Sequence, residues 1–155
     1  FFFFFLRVHA LGPVILLAEI QQTSDVTYRI YDWDRTDKHG NKRELHTEEA
    51  LAAIDYNVYD DYRTEYPDIK NQSVEVVNQP YFTTNMLHLD KAMAKNYEEL
   101  DSFVIYTCVQ GKMILRYEHG KTSLQMGECA LVPNELGKLE IHPLTESKLL
   151  ETYIL

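Results

Sequence analysis

Four positions near the start of the chain carry residue types that do chemistry. His9 lies on a presumptive strand beside Arg7, before the Gly12-Pro13 break. Zinc needs three or four converging ligands, and no His-x-His or Cys-x-x-Cys lies nearby, so spacing alone leaves His9 open between a structural histidine and a ligand. Glu19 is the single acid in the apolar run Val14–Ile20. On a strand it shares a face with Leu17 and Gln21, which reads either as a solvent-facing pleat or as a cavity-lining face. Arg29 sits mid-run in Val26–Trp33, in phase with Thr27 and Asp25. Inside a barrel such a cation needs a carboxylate, a phosphate or a developing oxyanion; on an edge strand it needs only water. Arg35 and the basic loop Lys38–Arg43 add charge at the same rim, or form a solvated face. No Gly-rich phosphate loop, nucleophile elbow or Ser/His/Asp order is present, and Asp60-Asp61 reads as solvated surface.

These residues need elements to place them. The chain has 155 residues, 45% hydrophobic and 25% charged, a globular composition that excludes collagen, coiled coil and wholesale disorder. Eleven Tyr against six Gly favour strands. Strands are expected over Val14–Ile20 and Val26–Trp33, with a polar turn from Gln21 to Asp25. Thr47 is placed as the N-cap of a short helix with its body over Ala50–Ile54. An acidic, Tyr-rich connector follows. From Pro80 onward, strands are expected over Tyr81–Leu89, Ser102–Gln110, Lys112–Tyr117, Lys121–Gln125, Cys129–Pro133, Leu139–His142 and Lys148–Ile154. Short, turn-punctuated strands of this kind make a sandwich or barrel.

A net charge of −9 with no long basic block argues against nucleic acid and anionic membrane as partners. No apolar run reaches the length of roughly 18 residues that a membrane helix needs. Cys108 and Cys129 fall in apolar strands and read as buried thiols, which suits a reducing compartment and a cytoplasmic location. Nothing in the sequence sets an oligomeric state. The Phe1–Phe5 start lacks the basic region and small-residue site of a signal peptide, and so much aromatic surface requires cover. A strand whose upstream part is missing is the expectation.

Three blocks resemble a known family: Arg7-Val8-His9-Ala10-Leu11-Gly12, Glu19-Ile20-Gln21-Gln22-Thr23-Ser24-Asp25, and Thr27-Tyr28-Arg29-Ile30-Tyr31-Asp32-Trp33-Asp34-Arg35. They are similar to the type I mannose-6-phosphate isomerases in their bacterial short form. Supporting pieces are Arg43-Glu44-Leu45-His46-Thr47, Pro80–Asn85, Glu99–Phe103 and Leu149–Ile154. The resemblance implies an all-β cupin architecture, jelly-roll barrels with a short helical connector. It implies interconversion of mannose 6-phosphate and fructose 6-phosphate through a cis-enediol with one bound zinc. By resemblance, His9 is a zinc ligand, Arg29 acts at the reacting oxygens, Glu19 and Asp25 line the pocket, and Arg35 lies near the sugar phosphate. The family's remaining ligands, a Gln-x-His pair and a Glu, precede the His block, and Phe3–Leu6 replaces its I-P-A-G stretch. The chain is therefore expected to be the C-terminal portion of an isomerase, incomplete alone. Residues 1–43 would be the last strands of the catalytic barrel, 44–79 a helix and connector, and 80–155 a second cupin-like barrel that is structural. The alternative is a non-catalytic cupin module that binds a sugar or a protein.

Overall fold

The computed structural model describes residues 14–21, 26–61 and 63–154. They divide into two units, residues 18–21 with 64–154, and residues 14–17 with 26–61 and 63.

The first unit is a barrel of nine strands: β1 (Ser73–Gln79), β2 (Phe82–Leu89), β3 (Met93–Asn96), β4 (Val104–Gln110), β5 (Lys112–Tyr117), β6 (Gly120–Gln125), β7 (Cys129–Val132), β8 (Lys138–Pro143) and β9 (Ser147–Tyr153). They form a five-stranded sheet, β1-β2-β9-β4-β7, and a four-stranded sheet, β3-β8-β5-β6. Every named pairing is antiparallel. Strands β4 to β9 follow the expected runs to within two residues, because their apolar positions alternate and turns punctuate them. Two strands were not anticipated. Ser73–Gln79, read as connector, pairs along β2, and Met93–Asn96 pairs with β8. Both are edge strands with weak alternation, and only their neighbours define them.

Inward side chains from both sheets meet in one core. Leu87, Leu89, Tyr106, Cys108, Met113, Leu115, Leu124, Ile141 and Leu149 are all buried there. Cross-strand partners Leu87 and Leu149 are fully covered, and each such side chain contributes about 2 kcal/mol by leaving water. Cys108 is buried as expected and burial pushes its thiol up, whereas Cys129 faces outward on β7 and is exposed. The pleat explains the correction: Cys129 pairs with Thr107, on the face of β4 opposite Cys108.

The second unit holds the one α-helix among the described residues, α1 (Thr47–Ala53). His46, not Thr47, occupies its N-cap position, and no side chain caps it. Neither expected strand forms within the described residues. Residues 14–20 carry no strand, and Val14 has a φ of 65°, outside the extended region. Residues 26–33 end in a tight turn instead of a ladder. A strand is stable only when a neighbour accepts its backbone hydrogen bonds, and the pattern of side chains cannot supply that neighbour. No helix among the described residues is long and apolar enough to cross a membrane.

Candidate functional site

The expected site residues fall in three places. His9 and Asp25 lie outside the described residues. Glu19 belongs to the first unit, is exposed, and stands on irregular backbone, not on an apolar strand. Arg29 and Arg35 belong to the second unit and share a surround.

Arg29 is half-buried and tied to the segment before α1. Its amide donates to His46 Nδ1 at 3.2 Å, and the His46 amide donates back to the Arg29 carbonyl at 2.7 Å. Its Nη1 donates to the Glu44 carbonyl at 3.2 Å. Arg29 is therefore held by backbone at both ends of its side chain, not by a ladder. Asp32, three residues on, accepts a forked pair of bonds from Arg43: Nε to Oδ2 at 2.7 Å, and a shorter Nη2 contact to Oδ1. The Arg43 hydrogen bond, with the added field of Arg29 and Arg35, holds the Asp32 carboxyl below its usual range. One guanidinium thus grips this carboxylate, and two others add to the field it feels. Arg43, which the sequence placed only in a basic loop, is the member that residue type alone did not single out. Its distance of eleven residues from Asp32 is closed by tertiary structure.

The barrel has its own polar interior. Glu151 on β9 is fully buried and accepts from Lys95 Nζ at 2.6 Å, from Asn85 Nδ2 at 2.9 Å, and from the Tyr97 hydroxyl. Tyr97 in turn meets the Tyr106 hydroxyl. Burial, then the neighbouring charges, pushes both phenols far above their ordinary value. With both carboxylate oxygens taken up by the protein's own donors, Glu151 reads as a structural anchor. A second cluster centres on His88, whose Nδ1 lies 2.5 Å from Asp68 and whose Nε2 lies 2.6 Å from Glu146. Lys148 takes the other Asp68 oxygen, and Lys70 shares the Glu146 oxygen that meets His88. A cleft of about 500 Å³ opens on the four-stranded sheet, lined by Lys95, Arg116 and Lys138 and by Glu118 and Glu140.

Among the described residues no group of three or more His, Cys, Asp or Glu is arranged to hold a metal ion. His119 pairs with Glu118 and His142 with Glu140, each alone. The described residues therefore do not make a zinc site by themselves.

The family model of the mannose-6-phosphate isomerase cupin domain matches residues 72–147, which take in β1 to β8 of the barrel. The Bacillus subtilis (strain 168) protein YvyI is 32% identical over 131 residues, covering 83% of this chain and 41% of its own. The mannose-6-phosphate isomerase of Streptococcus mutans is 28% identical over 141 residues, covering 86% of this chain and 44% of its own. The crystal structure of mannose 6-phosphate isomerase from Bacillus subtilis superimposes with a TM-score of 0.66 at 27% identity, over 84% of this chain and 41% of that one. The chain thus spans about two fifths of the length of the curated relatives it matches. A likeness that reaches well beyond the barrel joins the barrel's own match: residues 72–147 match the mannose-6-phosphate isomerase cupin domain, and the chain is similar to mannose-6-phosphate isomerases over 83% to 90% of its length.

Proposed function

We propose that this chain is the C-terminal part of a cytoplasmic isomerase that interconverts mannose 6-phosphate and fructose 6-phosphate, and that it is incomplete when isolated. The observation that carries the reading is the likeness to mannose-6-phosphate isomerases over 83% to 90% of the chain, which takes in both units. Arg29 and Arg35 lie close enough to Asp32 for their charges to lower its carboxyl, and this supports it.

Moving a proton between adjacent carbons of a sugar leaves negative charge on an oxygen in the transition state. Arg29, held by the Glu44 carbonyl and the His46 pairing, is the preorganised cation for that oxygen. Arg35 takes the phosphoryl group of the substrate, and Glu19 and Asp25 line the sugar pocket. His9 is the zinc ligand of this reading, and zinc when bound polarises the sugar carbonyl. The described residues supply no further ligands, so zinc binding needs residues beyond them.

The test is isomerisation of mannose 6-phosphate in zinc-containing buffer. It compares the chain alone with the chain fused to the three fifths of a relative that it does not match. Turnover is expected only for the fusion. Turnover by the chain alone would overturn its incompleteness, and an inactive but folded fusion would overturn the isomerase reading. Zinc per chain, measured after loading and desalting, is expected near zero for the isolated chain.

A further inference from the structure

The barrel carries three histidines, and one of them is held differently from the others. His119 and His142 each meet one carboxylate. His88 has one at each ring nitrogen: Asp68 Oδ1 lies 2.5 Å from Nδ1, and Glu146 Oε1 lies 2.6 Å from Nε2. Its side chain is 8% exposed, so water does not stand in for either partner. A neutral imidazole has one N–H and one lone pair and donates to only one acceptor. The ring and Lys148 hold the Asp68 carboxyl below its usual range, and Lys70 and the ring do so for Glu146. Near neutrality neither carboxyl therefore has a proton to offer. Both contacts need an N–H from His88, and the arrangement is that of the imidazolium.

The charges around the ring come from three sides. Lys148, the cross-strand partner of His88 on β9, puts its Nζ 3.2 Å from the second Asp68 oxygen. Lys70 Nζ lies 2.7 Å from Glu146 and 3.4 Å from Asp90. Lys91, in the turn after β2, adds to the field on Asp90. The remaining neighbours on this face are uncharged: Met86 on β2, Leu150 on β9, and Gln110 of β4 opposite Lys148. With the ring charged, His88, Lys70 and Lys148 match Asp68, Glu146 and Asp90. Without that charge, three carboxylates share two lysines.

The cluster fastens the segment Asp68–Asn71, which leads into β1. The Asn71 amide donates to the His88 carbonyl at 2.7 Å, and Lys70 bridges alongside His88. Asn71 turns the corner at a φ of 60°, and its Oδ1 accepts from the Asp90 and Lys91 amides at 3.2 and 3.1 Å. Ahead of that corner the side chains of Asp68 and Lys70 tie the segment down.

We propose that His88 is a proton-operated clasp that closes Asp68–Asn71 onto β2 and onto the turn before β9. The imidazolium is the closed form. Loss of one ring proton to water sets a nitrogen lone pair against a carboxylate oxygen where an N–H stood, and attraction becomes repulsion. One side of the clasp then parts, and the segment loosens from β2. The closed form requires the second ring proton, so rising pH drives it open.

The 155-residue chain is followed by NMR between about pH 6 and 10, the span in which imidazoles lose their charge. Nitrogen-15 shifts of the His88 ring read its protonation. Exchange of the Asn71 amide, divided by the rate of an unstructured peptide at the same pH, reads the segment. Both ring nitrogens are expected to carry protons at the acid end. Asn71 protection should fall about tenfold or more in step with the ring, the scale of one charge-assisted bond. The Leu149 amide, on the central strand of the five-stranded sheet, should keep its protection throughout. Glu146→Gln separates a clasp from a merely structural histidine. A Gln side chain accepts through its oxygen or donates through its NH₂, so it suits the ring in both states. Asn71 protection in Glu146→Gln should stay level across the same range.

A ring with one proton at the acid end would overturn the proposal. So would Asn71 protection that does not follow the ring, or a Glu146→Gln protein that keeps the parent's step. Loss at Leu149 in step with Asn71 would also overturn it, because the whole barrel would then be opening.

Discussion

At the scale of single residues, position in the backbone and position in the charge network decide different things. Asp34 sits at positive φ in an exposed turn, where its bond to Lys42 is a surface ion pair of small worth. Asp34→Gly removes the conformational strain and should stabilise the second unit by up to about 1 kcal/mol. Thermal unfolding followed at Trp33 measures this, and a lowered midpoint would show that the Lys42 bond outweighs the strain. Glu151 is the opposite case, a carboxylate with no access to water. Lys95→Met leaves that charge without its cation and should cost about 3–5 kcal/mol, whereas pairing it with Glu151→Gln should restore much of the loss. Urea denaturation of the single and double variants tests this, and equal stabilities would show that Lys95 is dispensable to the anchor. In the complete enzyme of the proposed function, Arg29→Ala should lower kcat by about 10²-fold, the scale of one preorganised stabiliser. Unchanged turnover would remove Arg29 from the reaction.

At the scale of elements, turns decide which strands meet. Gly111 joins β4 to β5 at a φ of 81°, and a Cβ there would lie 2.4 Å from Ser147 Oγ and 2.6 Å from the Glu146 carbonyl. Gly127 has a φ of 88°, with open space around the same position. Both substitutions to alanine meet the left-handed penalty of about 1–2 kcal/mol, but only Gly111→Ala must also move the start of β9. Gly111→Ala should therefore be the more destabilising by at least about 1 kcal/mol. Chemical denaturation of the two variants reads the difference, and equal losses would mean that the β9 turn yields without cost. The seven C-terminal strand runs were legible because alternation and turn residues agree there. β1 and β3 were not legible, since an edge strand such as Ser73–Gln79 is defined by the partner that hydrogen-bonds to it.

At the scale of the whole molecule, the charge clusters couple stability to pH. His88 and Lys148 hold the Asp68 carboxyl below its usual range, and Lys70 with His88 does the same for Glu146. Asp90 is lowered by Asn71 and Lys70, and Glu98 by Lys138. A carboxyl whose folded pKa is depressed favours the folded state once pH exceeds its unfolded value of about 4. That contribution is lost as pH falls through the folded value. Stability should therefore be flat near neutrality and decline below about pH 4. Asp68→Asn combined with Glu146→Gln should make the decline shallower, as followed by unfolding midpoints between about pH 2 and 6. An unchanged slope would place acid sensitivity in other groups.

Composition, alternation and turn residues determined on their own that the C-terminal half is a β-sandwich or barrel, and the blocks around His9, Glu19 and Arg29 carried the family resemblance. Those signals are local, and each needs only a few neighbouring residues to be read. Tertiary structure alone decided that Val14–Ile20 lacks a strand, that Cys129 faces outward, and that Arg43 reaches Asp32 across a closed loop. Each of these depends on which distant backbone or side chain supplies a partner. A hydrogen bond is satisfied by geometry between segments, which no pattern within one segment can specify.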